Sequence, residues 1–292
     1  MSRFSNSIEL AKSSWSVLTS TKQLMVIPVA SFVVTSVVVA LSGGAMYLTV
    51  NQTTIAGSTR TTGAGRELTV GATELTPTAL TYVVGVVAYI LITFVVTYFA
   101  AALVAGAWER LNGGNPSLGS SFGTATRRIG PIAGWALLSG TIGLVIQALE
   151  ERLGVLGQLV GGAIGMAWRI VTWLAVPVIV VEGTGPWPSL KRSASLFKQT
   201  WGENLIAAGG FGLLGFLAIL GGMAISALFF AIVPIAGVIL FVVWVAVTST
   251  IIATLNGIYR TALYAYASGH QIQWFDQGQL AAAFTPKKGL LR

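Results

Sequence analysis

The sequence predicts an all-α integral membrane protein, with six transmembrane helices in three hairpins and amphipathic helices lying at the cytoplasmic interface. Three observations predict it. Of 292 residues, 54% are hydrophobic and only 9% charged, against the roughly 25% charge of a soluble domain. Six separate apolar runs are long enough to cross a bilayer, which takes about 20 residues each. Lys and Arg fall almost entirely on one side of those runs, as the positive-inside rule requires of a multi-pass protein.

The chain divides into an N-terminal amphipathic helix over 1–21, a membrane domain over 22–259 and a C-terminal tail over 260–292. In the first segment Phe4, Ile8, Ala11, Trp15 and Leu18 recur at steps of four and three, one face of a helix, opposite Ser, Asn, Glu and Lys. Such a helix suits the headgroup plane. The spans follow as Leu24–Val50, Leu80–Trp108, Ile129–Leu149, Val155–Val181, Leu205–Ala231 and Ile235–Tyr259. The first is too long for the 7–15-residue apolar region of a cleaved signal peptide, so it is expected to stay. Only Ile232, Val233 and Pro234 separate the last two spans, and the proline cannot extend the helix before it. The external loop 51–76 is rich in Thr and Gly and reads as solvated, with room for a short hairpin.

With both termini on one side, that side holds thirteen Lys and Arg: Lys22 and those of the N-terminal segment, the loops 109–128 and 182–204, and the tail. The other side holds Arg60, Arg66 and Arg152. Both termini are therefore expected in the cytoplasm. The net charge of +8 suits an anionic inner leaflet and calls for no nucleic acid.

The two cytoplasmic loops look like copies of one unit. A shift of 72 residues lays Pro116-Ser117-Leu118 on Pro188-Ser189-Leu190, Ser121 on Ser193 and Gly130 on Gly202. Glu109 and Glu182 match at a shift of 73. Each copy reads as a Glu at a helix exit, a Gly-rich turn, and Pro-Ser-Leu opening a short helix. In the second, Leu190, Ala194, Phe197 and Trp201 form an apolar stripe opposite Lys191, Arg192, Lys198 and Gln199, again a headgroup-plane pattern.

Arg169 stands near the middle of the fourth span, where an Arg costs about 2.5–3.5 kcal/mol on insertion scales and normally faces a packed interior or a wet cavity. Gly157, Gly161 and Gly165 precede it at steps of four, a stripe that invites close helix packing. No acid lies at matching depth. Two readings stand: an Arg that crosslinks helices through neutral acceptors, or an anion or lipid site comprising Arg169, Trp168, Thr172, Lys191 and Arg192. Pro177 loosens the same span by freeing the carbonyl of Trp173.

No catalytic, cofactor or metal residues are expected. Zero cysteines exclude disulfides and thiolate chemistry, and the single histidine, His270, excludes paired-His metal sites. His270 reads as a solvated loop residue, and Glu150-Glu151 mark an external turn, since adjacent helical side chains diverge by about 100°. The glycines of the fifth span, Gly209 to Gly222, lack the Gly-Lys-Ser/Thr of a phosphate loop and read as packing faces.

Several segments carry a family resemblance. Leu10-Ala11-Lys12-Ser13-Ser14-Trp15-Ser16-Val17-Leu18, Trp168-Arg169-Ile170-Val171-Thr172, Pro177 to Gly183, Leu190-Lys191-Arg192-Ser193, Trp201-Gly202-Glu203 and Arg260 to Gly269 resemble a family of prokaryotic integral membrane proteins known only as a domain of unknown function. The likeness runs from Trp15 to Ala283-Phe284. More distantly the chain is similar to six-span membrane domains associated with glycerophosphodiesterases, which carry no catalytic residues of their own. The resemblance implies architecture and a prokaryotic cell (inner) membrane, and it brings no activity or site residues. The expected function is a non-enzymatic membrane scaffold or accessory subunit that packs against anionic lipids, itself or a larger complex. The alternative is a carrier or channel for an anionic small molecule or lipid using Arg169.

Overall fold

The computed structural model describes residues 3–61, 67–152, 154–201, 210–272 and Trp274. Arg66, Gly202, the expected start of the fifth span at Leu205 and the tail from Phe275 lie outside them, as do the side chains of Phe4, Ile8, Ala11 and Trp201.

Helix α1 (Arg3–Ser20) leads through a 3-10 turn into α2 (Val26–Thr49), followed by the strands β1 (Asn51–Thr61) and β2 (Glu67–Thr76). Then come α3 (Ala79–Leu111), α4 (Leu118–Arg127), α5 (Ile129–Arg152), α6 (Gly154–Val171) and α7 (Ala175–Glu182). The chain closes with α8 (Pro186–Trp201), α9 (Gly210–Ile232) and α10 (Pro234–Ala267). Among the described residues five stretches are long and apolar enough to cross a membrane: Lys22–Thr49, Ala79–Leu111, Ile129–Arg152, Val160–Glu182 and Pro234–Ala267. A shorter apolar stretch, Phe216–Ala227, lies in α9.

Helix α3 is central, packing against α2, α4, α5, α7 and α10, while α9 packs chiefly on α10. With 33 and 34 residues, α3 and α10 are each about 50 Å long, some 20 Å more than a hydrocarbon layer. The surplus lies at the end carrying α1, α4 and α8, here termed the base. There the molecule has an interior. Val17, Leu18, Leu111, Leu174, Leu196, Ile258 and Tyr264 form one buried cluster, which joins α1, α3, α8, α10 and the start of α7. A second cluster contains Leu24, Ile27, Ala101, Ala102, Ile132 and Ile179. Away from the base the helices are apolar outward, with Phe32, Leu41, Leu48, Leu80 and Ile235 exposed. That inversion is what a lipid-facing bundle shows, since lipid supplies no hydrophobic drive between helices.

Three expectations change here. The hairpin expected in the loop 51–76 is present but long: β1 and β2 pair antiparallel from Asn51↔Thr76 to Thr61↔Glu67, with an irregularity between Ile55 and Ser58. Eleven residues make a ribbon about 35 Å long. Its many Thr residues, with Ile55, Leu68 and Val70, are β-formers. The ribbon is pinned at its foot, where Thr49 O accepts from Thr78 Oγ1 at 2.7 Å and Thr81 Oγ1 at 2.9 Å.

Helices α1 and α8 also present different faces from those expected. On α1, Ser14, Val17 and Leu18 are buried, against α10 among others, and Trp15 of the expected apolar stripe is 48% exposed. On α8 the buried face is Ser189, Leu190, Ser193 and Leu196, one step removed from Leu190, Ala194, Phe197 and Trp201. Both helices dock on the protein core, with Ser14, Ser189 and Ser193 fully buried.

The repeat is visible in both copies. Ser120 Oγ donates to Glu109 at 2.8 Å, and Arg192 Nε, at the equivalent position 72 residues on, donates to Glu182 at 3.1 Å. Ser117 caps α4 with a reciprocal capping box, whereas α8 begins at Pro186 and takes Pro188-Ser189-Leu190 into its first turn. The Gly-rich turn of the second copy needs Gly183, at φ +70°.

Candidate functional site

The fourth span is not continuous. Helix α6 ends at Val171 and α7 starts at Ala175, leaving Thr172, Trp173 and Leu174 as a turn. Pro177 sits in the first turn of α7, where its missing N–H costs least. The freed backbone groups have specific partners. Ser193 Oγ donates to Val171 O at 2.6 Å and accepts from Leu174 N at 3.1 Å. Arg260 of α10 donates Nη2 to Thr172 O at 3.1 Å and Nε to Trp173 O, with its guanidinium carbon 5.6 Å from the centre of the Trp173 ring. The carbonyl freed by Pro177 is therefore taken by an Arg 87 residues away.

A recess of about 330 Å³ opens beside this clamp, lined by α2, α3 and α10 together with Trp173. Its walls are apolar except for Ser31, Asn256 and Arg260. Helix α10 can approach α3 here because position 257 is glycine: a Cβ would lie 2.4 Å from Leu103 Cδ2. The recess shares Pro28, Ser31, Val96 and Ala253 with a larger groove of about 890 Å³ between α2 and α10, whose lining is almost wholly apolar.

The residues singled out by sequence do not converge on one cavity. Arg169 is exposed, and among the described residues its side chain has no hydrogen-bond or ion-pair partner. The expected packed interior or wet cavity is not where it points. Measured from Gly154, Arg169 lies about 22 Å along α6, about 8 Å short of the far edge of a hydrocarbon layer about 30 Å thick. The helix breaks three residues later, at Thr172. Trp168 turns the other way and stacks on Trp135, with ring centres 6.2 Å apart and planes 9° apart. Thr172 Oγ1 donates to Trp168 O at 2.7 Å. Lys191 is exposed beside the Trp187 ring at 5.7 Å. Arg192 pairs with Glu182, which also accepts from Tyr264 at 3.0 Å. Gly161 and Gly165 face α5, against Glu150 and Ile146, and Gly157 is buried.

Arg260 was missed because it was tallied among the basic residues that end a span. A signal was present: Asn256 and Arg260 are four apart on one helical face, and the carbonyl freed by Pro177 required a donor. His270 is exposed but not merely solvated, meeting Trp108 edge-on at 5.3 Å, with Nδ1 2.9 Å from Ser268 Oγ. Among the described residues no group of three or more His, Asp or Glu could hold a metal.

Several long apolar helices, an outward apolar surface and a core confined to one end define a helical multi-pass membrane protein. The chain belongs to a family of unknown function, DUF6159, whose model matches residues 79–273, from the start of α3 to just past α10. The match leaves out α1, α2 and the ribbon, which the likeness read from sequence had partly included, and it lends nothing to a prokaryotic source or to the glycerophosphodiesterase-associated domains. No curated protein and no solved structure matches the chain.

Proposed function

We propose that the protein is a non-enzymatic membrane scaffold or accessory subunit, crossing the cell membrane six times with both termini in the cytoplasm. The reading rests on one observation above others: the hairpins α2–α3, α5–α6 and α9–α10 are joined by a buried core at the base and expose apolar faces beyond it. A bundle tied at one end leaves clefts for lipid or for a partner's helices. In the six-span arrangement α9 descends from α8 and returns through Pro234 as α10, and the basic residues at the base set the cytoplasmic side. The alternative, a carrier or channel for an anionic small molecule or lipid using Arg169, draws no support from the recess or the groove described above, neither of which is lined by Arg169.

Purification from native membranes in mild detergent tests this reading. A stoichiometric membrane partner or a defined oligomer is the expected result; a lone monomer under conditions that keep other complexes intact would overturn it.

A further inference from the structure

We propose that the cleft between α2 and α10 binds one phospholipid of the basal leaflet, with its phosphodiester held by Arg260 and Asn256 and an acyl chain in the adjoining groove. The inference rests on the reading above in one respect only, that α2 and α10 cross the bilayer.

Unused hydrogen-bonding capacity carries it. A guanidinium has five N–H donors; Arg260 gives one to Trp173 O and one to Thr172 O. Among the described residues the other three have no acceptor, and neither does the side-chain amide of Asn256, although both residues line the recess. Among the described residues no Asp or Glu lines the recess or the groove. A cation and an amide at the end of an apolar cleft, with no protein anion, would be costly against hydrocarbon alone. An apolar helix from a partner would leave those donors unmet. A phosphodiester would accept from both, with the planar guanidinium presenting paired N–H groups to it.

The groove has the depth of one leaflet. Its α2 wall runs from Met25 to Thr35 and its α10 wall from Phe241 to Ala253, about 15–18 Å along each helix and so about half of a 30 Å core. The polar recess adjoins its basal end, where a headgroup of that leaflet lies. A lone uncompensated Arg also favours a net-anionic lipid over a zwitterionic one.

Native mass spectrometry of the full-length, delipidated protein titrated with dioleoyl phosphatidylglycerol tests the site. The wild type should take up one lipid at least tenfold more tightly than any further lipid. Ala253→Trp, which fills the wall shared by recess and groove without touching the Arg260 clamp, should abolish that first binding. Val37→Trp, on an exposed part of α2 outside the groove, should leave it unchanged. Arg260→Gln should weaken it at least tenfold; if that variant fails to fold, Ala253→Trp decides alone. Dioleoylglycerol, which has the chains without the phosphate, should not bind, and millimolar inorganic phosphate should not displace the lipid. Unchanged binding in Ala253→Trp, equal binding of dioleoylglycerol, or displacement by phosphate alone would overturn the proposal. Recovery of a stoichiometric partner alongside any of these failures would leave the scaffold reading standing.

Discussion

Replacing Ser193 with alanine removes a single oxygen that serves both loose ends of the broken fourth span. Ser193 is fully buried; its hydroxyl donates to Val171 O and accepts from Leu174 N, two backbone groups that the turn at 172–174 leaves outside the helical ladder. A buried polar group left without a partner costs about 1–3 kcal/mol. Two at the lower half of that range give about 2–4 kcal/mol. For a chain of this size about 2–4 °C accompanies each kcal/mol, so the midpoint of thermal unfolding in detergent should fall by roughly 4–16 °C. Scans are compared at one heating rate, because unfolding of such proteins is commonly irreversible. The repeat supplies an internal control. Ser121, the equivalent residue of the first copy, is equally buried, but among the described residues its hydroxyl has no hydrogen-bond partner, and it lies against Gly106. Ser121→Ala should therefore leave the midpoint unchanged or raise it by about 1–3 °C. Equal losses in the two variants, or no loss in Ser193→Ala, would refute the assignment of Ser193 as the bridge across the break.

Gly183→Ala should lower stability by about 1–2 kcal/mol, read as a fall in the same midpoint, because φ is +70° and a Cβ would press on the Arg128 guanidinium. Tyr264→Phe should cost about 1–3 kcal/mol by the same scan, since its buried hydroxyl donates to the Glu182 carboxylate; Arg192→Gln, which removes an ion pair 42% and 27% exposed, should cost under about 1 kcal/mol. Replacing residues 52–75 with a short Gly-Ser link should leave helical content and midpoint within about 2 °C of the wild type, because β1 and β2 pair chiefly with each other. A larger fall would mean that the ribbon braces the bundle.

Much of this architecture is legible in the chain, and the parts that are not have identifiable causes. Apolar runs are the strongest signal a sequence carries, and the expected spans at Leu80–Trp108 and Ile129–Leu149 fall within α3 and α5. Pro177 gave a correct warning about the Trp173 carbonyl. Arg169 stands near the middle of the apolar stretch Val160–Glu182, as the chain alone shows; the break at Thr172, three residues on, is what composition does not mark. The faces of α1 and α8 are shifted by about one residue from the apolar stripes: Leu18 and Leu190 of those stripes are buried and Phe197 packs on the core, but the fully buried positions include Ser14 and Ser193. A serine such as Ser193 can pack tightly and satisfy backbone groups at the same time, and no apolar periodicity reports that. Arg260 escaped notice for a related reason: its role depends on two carbonyls far away in sequence, exposed by a break that composition does not mark. A hairpin at 51–76 is legible but its length is not, because Thr and Gly weigh toward loops until their pairing partner is known.

The chain has no cysteine of its own, so single cysteines can report sidedness directly. Placed at Glu74, Glu151, Val233, Asn115, Lys191 and Gln271, all exposed, they can be treated with a membrane-impermeant maleimide in intact cells and again after lysis. Six crossings with a cytoplasmic base require labelling at positions 74, 151 and 233 in intact cells, and at 115, 191 and 271 only after lysis. Labelling of position 271 or 115 from outside, or protection of 233 together with 151, would contradict that topology and the scaffold built on it.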